Sequence, residues 1–191
     1  MENSSIDGHI INKITITPVE NYFGSPGKGR LVGRNAKMEN YGINQREWLL
    51  QVSTDSGLTG LSNARPAMNK GGILDLYNDF QDLIGKPLSG FFNVSGGRVT
   101  NINPRWSDLI DRYGFLDVAL FDLIGQSLGQ PAYSLLGDKV RDKVEGYDSS
   151  LYFQDLVNPS EGANAVAIEA AEAVEKGWRA VKLKLGRPGK W

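Results

Sequence analysis

The sequence predicts an α+β domain in which antiparallel strands precede helices, followed by a βαβ unit that starts near residue 143. Three observations predict this order. Alternating β-branched segments come first, apolar residues at helical spacing follow between residues 73 and 128, and residues 144–185 then change from strand to helix to strand. Strands joined by a short turn are antiparallel, whereas strands joined through a helix are parallel.

The first strands are predicted from alternation and turn residues. After a flexible tail over residues 1–9, residues 10–17 form a strand whose side chains alternate from Lys13 onward, and Pro18 marks its end. Residues 47–53 and 58–62 are two further strands, and the turn between them, Asp55-Ser56-Gly57, makes them a hairpin.

Helices are predicted next. The first has apolar residues at i, i+3, i+4 and i+7 and stops at Gly85 and Pro87; its apolar positions are Ile73, Leu76, Tyr77, Phe80, Leu83 and Ile84. Asn103 is an N-cap followed by proline at the first helical position. The apolar stripe then continues to Leu128, and Gly114 is able to divide it into two helices. Residues 131–136 form a short further turn that ends at Gly137.

The βαβ unit closes the chain. Residues 144–150 are predicted as its first strand, Asn158-Pro159 opens an alanine-rich helix that ends at Gly177, and residues 181–185 are its second strand.

Composition excludes several classes of protein. The 191 residues carry a net charge of −1, so no basic excess exists to hold nucleic acid or an anionic membrane surface. Without cysteine, disulfides and thiolate metal sites are excluded. The polar N-terminal segment lacks the apolar region of a signal peptide, and no stretch approaches the roughly 20 apolar residues of a membrane span. We therefore expect a soluble, cytoplasmic protein.

Two lysines one residue apart, Lys182 and Lys184, are the first candidate site. Alternation along a strand puts both on one face. An edge strand with a solvated polar face is the simplest explanation. However, Val181, Leu183 and Leu185 are apolar, and strands of βαβ units are usually covered on both faces. In a barrel, both lysines would line the lumen, where a neighbouring ammonium lowers the pKa of a lysine and makes it a general base.

Loops supply the other candidates. Residues 21–42 hold five glycines and several basic residues, but Gly29 follows Lys28, which breaks the Walker pattern, and the dinucleotide spacing is missed by one residue. A lid whose Arg30 and Arg34 meet an acidic substrate is more plausible than a nucleotide site, and a plain surface loop remains the default. Arg65 and Lys70 lie in a second irregular loop, where binding residues often occur.

Three further polar residues are predicted to lie outside any site. His9, the only histidine, is expected to be solvent-exposed, so a histidine-dependent triad is not predicted. Asp117 and Asp122 are five residues apart on a helix, which aligns them poorly as a carboxylate pair, so structural roles are expected for both.

Taken together, these segments resemble the mandelate racemase/muconate lactonizing enzyme family of the enolase superfamily. Residues 117–137, DVALFDLIGQSLGQPAYSLLG, are similar to its signature, and Lys182-Leu183-Lys184, about 50 residues later on a strand after a helix, resembles its K-x-K motif. The hairpin WLLQVSTDSGLTG at residues 48–60 is similar to the N-terminal capping domain. The likeness runs from about residue 10 to residue 186.

The resemblance implies a fold and a set of roles. An α+β capping domain would span residues 10–140, and the first βαβ of a (β/α) TIM-type barrel would span residues 141–191, with the barrel incomplete in this chain. Lys184 would be the base that removes the proton α to a substrate carboxylate, and Lys182 would hold that carboxylate and lower the pKa of Lys184. The basic loops would select the substrate, and Asp148 and Ser149 would lie near the mouth of the first barrel strand.

The same resemblance implies magnesium as the cofactor, a small-molecule carboxylate as the substrate, and a homo-oligomer for the full-length protein. In this family the magnesium carboxylates lie on the third to fifth barrel strands, so no metal ligand is predicted here. A barrel needs roughly 250 residues. The sequence therefore predicts part of a magnesium-dependent racemase, epimerase or acid-sugar dehydratase, inactive as 191 residues alone. The alternative is a non-catalytic binding or assembly module.

Overall fold

The computed structural model describes residues 6–22, 44–64, 72–152 and 162–184. The chain divides into two compact units. The first consists of Met1–Val19 and Arg46–Val140, and the second consists of Glu20–Gln45 and Arg141–Trp191. No helix in the described ranges combines the length and the apolar character needed to cross a membrane.

The first sheet contains the predicted hairpin. Its strands are β1 (Ile11–Tyr22), β2 (Asn44–Thr54) and β3 (Thr59–Asn63), in the order β1-β2-β3. β2 and β3 are antiparallel, from Leu49 opposite Asn63 to Ser53 opposite Thr59, which confirms the prediction. At the turn Gly57 has φ +88°, a conformation that favours glycine.

The prediction that β1 ends at Pro18 is wrong, because the strand continues to Tyr22. β1 is an edge strand of the sheet, and an edge strand tolerates a residue without an N–H group.

The predicted tail over residues 1–9 also extends too far, since residues 6–9 belong to the folded unit. Ile6 is fully buried in the core. His9 is half-buried rather than exposed, and its Nδ1 lies 2.6 Å from the Ser56 hydroxyl in the hairpin turn. Its carbonyl also accepts a 3.0 Å hydrogen bond from the Leu88 N–H. A single large apolar side chain therefore anchors a segment whose other residues are polar.

A second hairpin was not predicted. It consists of β4 (Phe92–Ser95) and β5 (Arg98–Ile102). Between them, Gly96 and Gly97 have φ of +59° and +69°, as a type I′ turn requires. The sequence carries a signal for this hairpin, because apolar Phe92 and Val94 alternate with polar Asn93 and Ser95, and Gly-Gly follows directly. In the structure the two apolar side chains are buried and the two polar ones are exposed.

Among the described residues of this unit, the longer α-helices are α1 (Gly72–Gln81), α2 (Pro104–Arg112) and α3 (Gly114–Leu128). α1 ends three residues earlier than its apolar pattern predicts, and residues 82–85 form turns. The break at Gly114 and the N-cap at Asn103 are confirmed; the Asn103 side chain accepts a 3.1 Å bond from the Arg105 N–H. The predicted turn at residues 131–136 is a 3-10 helix, Ala132–Leu135.

α3 is the centre of the core. Seven of its 15 residues are buried, and it packs against β3, α2 and two 3-10 helices, Leu88–Gly90 and Ala132–Leu135. A helix that is apolar on most of its surface needs neighbours on several sides, which the sheet and the other helices provide. Large side chains that are fully buried in this core belong to α3 itself and to its neighbours; they include Leu116, Leu120, Leu123 and Ile124 of α3, with Leu50, Phe91 and Phe92.

The second unit contains the βαβ motif. β6 (Asp148–Tyr152) and β7 (Val181–Lys184) are parallel, as predicted, and α4 (Ala163–Glu175) connects them and packs against β6. β6 starts four residues later than predicted, because only from Asp148 does the chain pair with β7. The predicted helix start, Asn158-Pro159, lies outside the described residues. Leu151, Val166 and Ala173 are buried in this unit.

Candidate functional site

The register of β6 against β7 defines the surroundings of the lysine pair. Asp148 pairs with Val181, Leu151 with Leu183, and Tyr152 with Lys184. Three steps along β6 therefore match two steps along β7, so β6 carries one extra residue between Asp148 and Leu151. This β-bulge at positions 149 and 150 lies opposite Lys182. Bulges of this kind are frequent at barrel rims and beside active sites, where they redirect side chains.

The bulge also explains why a strand with the sequence Asp-Ser-Ser-Leu-Tyr fits its partner. Leu151 is buried and lies opposite Leu183, whereas Lys182 is exposed. In a regular strand, Asp148 and Leu151 would lie on opposite faces of β6, because they are three residues apart and side chains alternate. The extra residue lets both pair with Val181 and Leu183, which share one face of β7. Positions 182 and 184 share a face by the same alternation.

The structure brings some of the predicted site residues together. Ser149 lies in the bulge beside Lys182 and is exposed, while Asp148 is half-buried at the first position of β6. The backbone of Lys184, at the end of β7, lies opposite that of Tyr152 on β6. Arg30, Arg34, Arg65 and Lys70 lie outside the described residues, so their predicted roles in substrate binding stay predictions.

Sequence analysis missed one neighbour of the lysine pair. The Lys182 Nζ lies 5.8 Å from the centroid of the Tyr147 ring, within the range of a cation–π interaction. Tyr147 directly precedes β6. No pattern in the sequence points to this contact, because it depends on which residues of two strands more than 30 positions apart face each other.

Asp122 has the structural role that was expected. Its Oδ2 accepts a 3.0 Å hydrogen bond from the Leu61 N–H on β3, and its Oδ1 accepts one of 3.0 Å from Gln126 Nε2. The same Gln126 nitrogen donates to the Thr59 carbonyl at 2.9 Å. Side chains of α3 therefore satisfy backbone groups on the outer edge of β3.

Asp117 differs from Asp122 because its carboxylate is partly desolvated. Its Oδ1 is buried and accepts no hydrogen bond among the described residues. Burial raises the pKa of Asp117 above the usual value of 3.8. Its place in the first turn of α3 favours negative charge through the helix dipole, but the desolvation outweighs this effect.

We expect Asp117→Asn to raise the free energy of unfolding at pH 7. A raised folded-state pKa means that the folded protein binds the proton more tightly than the unfolded chain. The favourable contribution of Asp117 to the free energy of unfolding is therefore present below pH 3.8 and is lost as the pH rises through its folded-state pKa. The difference between variant and wild type should shrink towards zero at acid pH. Urea denaturation between pH 3 and pH 7 measures it, with exposed Asp111→Asn as the control. A difference that is independent of pH would contradict this prediction.

The described residues do not fit a magnesium site. Among them, no three histidine, cysteine, aspartate or glutamate side chains lie close enough together to hold a metal ion. Magnesium prefers several carboxylate oxygens, and near Lys182 the described residues offer the Ser149 hydroxyl, the Tyr147 ring and the carboxylate of Asp148, too few acidic ligands to hold the ion.

Comparison with known proteins identifies the relatives of this chain. No protein-family model matches it. D-xylonate dehydratase from Haloferax volcanii is 31% identical over 156 residues, which cover 74% of this chain and 34% of that protein. A D-galactonate dehydratase family member from Oceanicola granulosus is 25% identical over 190 residues, 91% of this chain and 37% of that protein. The chain thus spans about a third of the length of these curated relatives.

Solved structures share the fold. Galacturonate dehydratase from Geobacillus sp., complexed with D-galacturonate and 5-keto-4-deoxy-D-galacturonate, matches 96% of this chain with a TM-score of 0.65 at 24% identity, over 43% of its own chain. A mandelate racemase/muconate lactonizing protein from Geobacillus sp. Y412MC10, complexed with magnesium and tartrate, matches 96% of this chain with a TM-score of 0.62 at 22% identity, also over 43% of its own chain.

An antiparallel sheet with helices, followed by a parallel βαβ unit, is the arrangement of a capping domain and the start of a barrel in the enolase superfamily. The dehydratase relatives and the solved structures therefore agree on a resemblance to the mandelate racemase/muconate lactonizing enzyme family of that superfamily. Its relatives include acid-sugar dehydratases and an epimerase, a hydrophobic dipeptide epimerase from Enterococcus faecalis that is 26% identical over 72% of this chain.

Proposed function

We propose that this chain supplies the capping domain and the lysine pair of an enzyme that removes the proton α to a carboxylate. The domains would be residues 10–140 and the barrel segment from residue 141 onward. The observation that carries the proposal is the position of Lys182 and Lys184 on one face of β7, in a parallel βαβ unit, opposite a bulge. Sequence identity to acid-sugar dehydratases supports this proposal.

Each lysine has a different role in this proposal. The neutral amine of Lys184 would take the α-proton, and the electron pair of the broken C–H bond would move into the substrate carboxylate. The Lys182 ammonium would donate a hydrogen bond to that carboxylate and stabilise the charge that develops there. The Lys182 side chain is exposed, and the ion pairs of the described residues do not include it.

A polyhydroxy acid is the proposed substrate class. The relatives named above as acid-sugar dehydratases support this choice, and so do the basic residues predicted for the loops. Magnesium would have to be bound by residues other than the described ones, so no step is assigned to a metal.

Hydrogen exchange in D₂O with the full-length gene product tests the proposal. The product is incubated with magnesium and with D-xylonate, D-galactonate or D-gluconate, and proton NMR follows the α-hydrogen. We expect exchange of that hydrogen, or loss of water, with at least one acid sugar. A folded full-length product that leaves these acids and a panel of hydrophobic dipeptides unchanged would refute it.

A second candidate function is supported by the surface of the βαβ unit. Ile168 and Val174 on α4 and Val181 on β7 are large apolar residues that are exposed. Exposed apolar groups on one small unit are typical of surfaces that bind another protein segment. In this case the chain would be an assembly module. Light scattering that shows a defined oligomer without exchange activity would favour it, and a monodisperse monomer would argue against it.

A further inference from the structure

We propose that Tyr147 is a positioning residue for Lys182: its ring holds the lysine ammonium in place so that it can meet the carboxylate of an acidic ligand. This inference rests on the proposed function for its biological meaning. The contact itself, at 5.8 Å between the Lys182 Nζ and the ring centroid, is a feature of the βαβ unit.

The backbone at Tyr147 is held on both sides by residues that precede β7. After it, the Asp148 N–H donates a 3.0 Å hydrogen bond to the Ala180 carbonyl. Before it, the Trp178 ring packs directly on Gly146, since a Cβ at Gly146 would lie 3.2 Å from Trp178 Cζ3. Because neighbours on each side are fixed, the position of residue 147 relative to β7 is fixed as well.

An ion pair supports the same alignment one residue further out. Arg179 donates to the Glu145 carboxylate at 2.9 Å. Both side chains are well exposed, so this pair alone contributes little to stability. Together with the hydrogen bond and the Trp178 contact, it keeps residues 145–148 alongside residues 178–181. This alignment places the Tyr147 ring beside the Lys182 side chain.

The surroundings explain why an aromatic ring suits this position. Tyr147 is 51% exposed, so the ring is not used to fill the core. A lysine ammonium sits on a flexible four-carbon stem, and ordering that stem on binding costs conformational entropy. The negative face of a ring attracts the ammonium and reduces its freedom before a ligand arrives. The Lys182 side chain is exposed, so a ligand can reach it.

The first test is spectroscopic and does not depend on catalysis. In protein with ¹³C-labelled lysine, Lys182→Arg identifies the Lys182 εCH₂ signal. A ring face shields nearby protons, so Tyr147→Leu should shift this signal downfield, whereas Tyr147→Phe should leave it in place. Tyr133→Leu is the matched control, because Tyr133 is 52% exposed and belongs to the other unit. An unchanged Lys182 signal in Tyr147→Leu would overturn the proposal.

The second test measures ligand binding through the same signal, with D-gluconate as the probe. We expect Tyr147→Leu to weaken D-gluconate binding by about threefold, as the loss of an exposed cation–π contact predicts. Tyr147→Phe keeps the ring and should bind with the affinity of the wild type. Equal dissociation constants for wild type and Tyr147→Leu would overturn the positioning role. If D-gluconate shifts the Lys182 signal but no acid exchanges its α-hydrogen in D₂O, the proposed function fails while the role of Tyr147 stands.

Discussion

Replacing Gly60 with alanine is expected to lower the free energy of unfolding by about 3 kcal/mol or more, the upper range for forcing extra atoms into a packed core. A Cβ at Gly60 would lie 2.1 Å from the Ala119 carbonyl oxygen and 2.8 Å from Leu123 Cγ. The nearest obstacle is helix backbone, which cannot rotate away as a side chain can. α3 would have to move off β3 and break the hydrogen bond between Leu61 and Asp122.

Urea denaturation measures the effect of Gly60→Ala. Gly114→Ala is the matched control in α3 itself, because nothing lies within 4 Å of a Cβ built there. We expect that control to be neutral or slightly stabilising, since alanine is the better helix former. If Gly60→Ala unfolds at the same urea concentration as wild type, the close packing of α3 on β3 is not what holds the two elements together.

The largest effect on activity is expected from Lys184→Met in the full-length gene product. If Lys184 is the base, the rate of α-hydrogen exchange in D₂O should fall by about 10³-fold, within the range for a general base. Methionine keeps the unbranched apolar stem and removes the amine, so the fold of β7 should survive. The residue occupies the position opposite Tyr152 at the end of β7.

Two variants make the Lys184 result specific. Lys176→Met removes a lysine whose 4.0 Å pair with Glu172 lies on the surface of the same unit, and it should leave the exchange rate unchanged. Lys182→Met should mainly raise KM, because that ammonium is proposed to hold the carboxylate. Exchange that persists in Lys184→Met would assign the base to another residue.

Local patterns predicted several elements that depend on neighbours in sequence, although the hairpin at Gly96-Gly97, which also has a local signal, was overlooked. The hairpin at Asp55-Gly57, the N-cap at Asn103 and the break at Gly114 are all confirmed. Features that depend on distant partners were missed. Pro18 lies inside β1 because that strand is at the edge of the sheet, and Ile6 is ordered because the core accepts its side chain. Neither fact is encoded within a few residues of its position.

The candidate site shows the same division. Two lysines on a strand after a helix could be recognised from spacing alone, and the parallel pairing of that strand is confirmed. The bulge beside Lys182 and the Tyr147 ring could not, because both arise from the register of β6 against β7. A register between parallel strands is decided by the packing of α4 and by contacts such as that of Trp178 with Gly146, which form only in the folded unit.

The hydrogen bonds from Asp122 and Gln126 to β3 have a consequence for aggregation. An exposed strand edge is a template on which another copy of a protein can add a strand. A strand that approached β3 would find the Leu61 N–H and the Thr59 carbonyl already bound by side chains of α3. The segment that resembles the family signature, residues 117–137, thus also protects this edge of the sheet from edge-to-edge polymerisation.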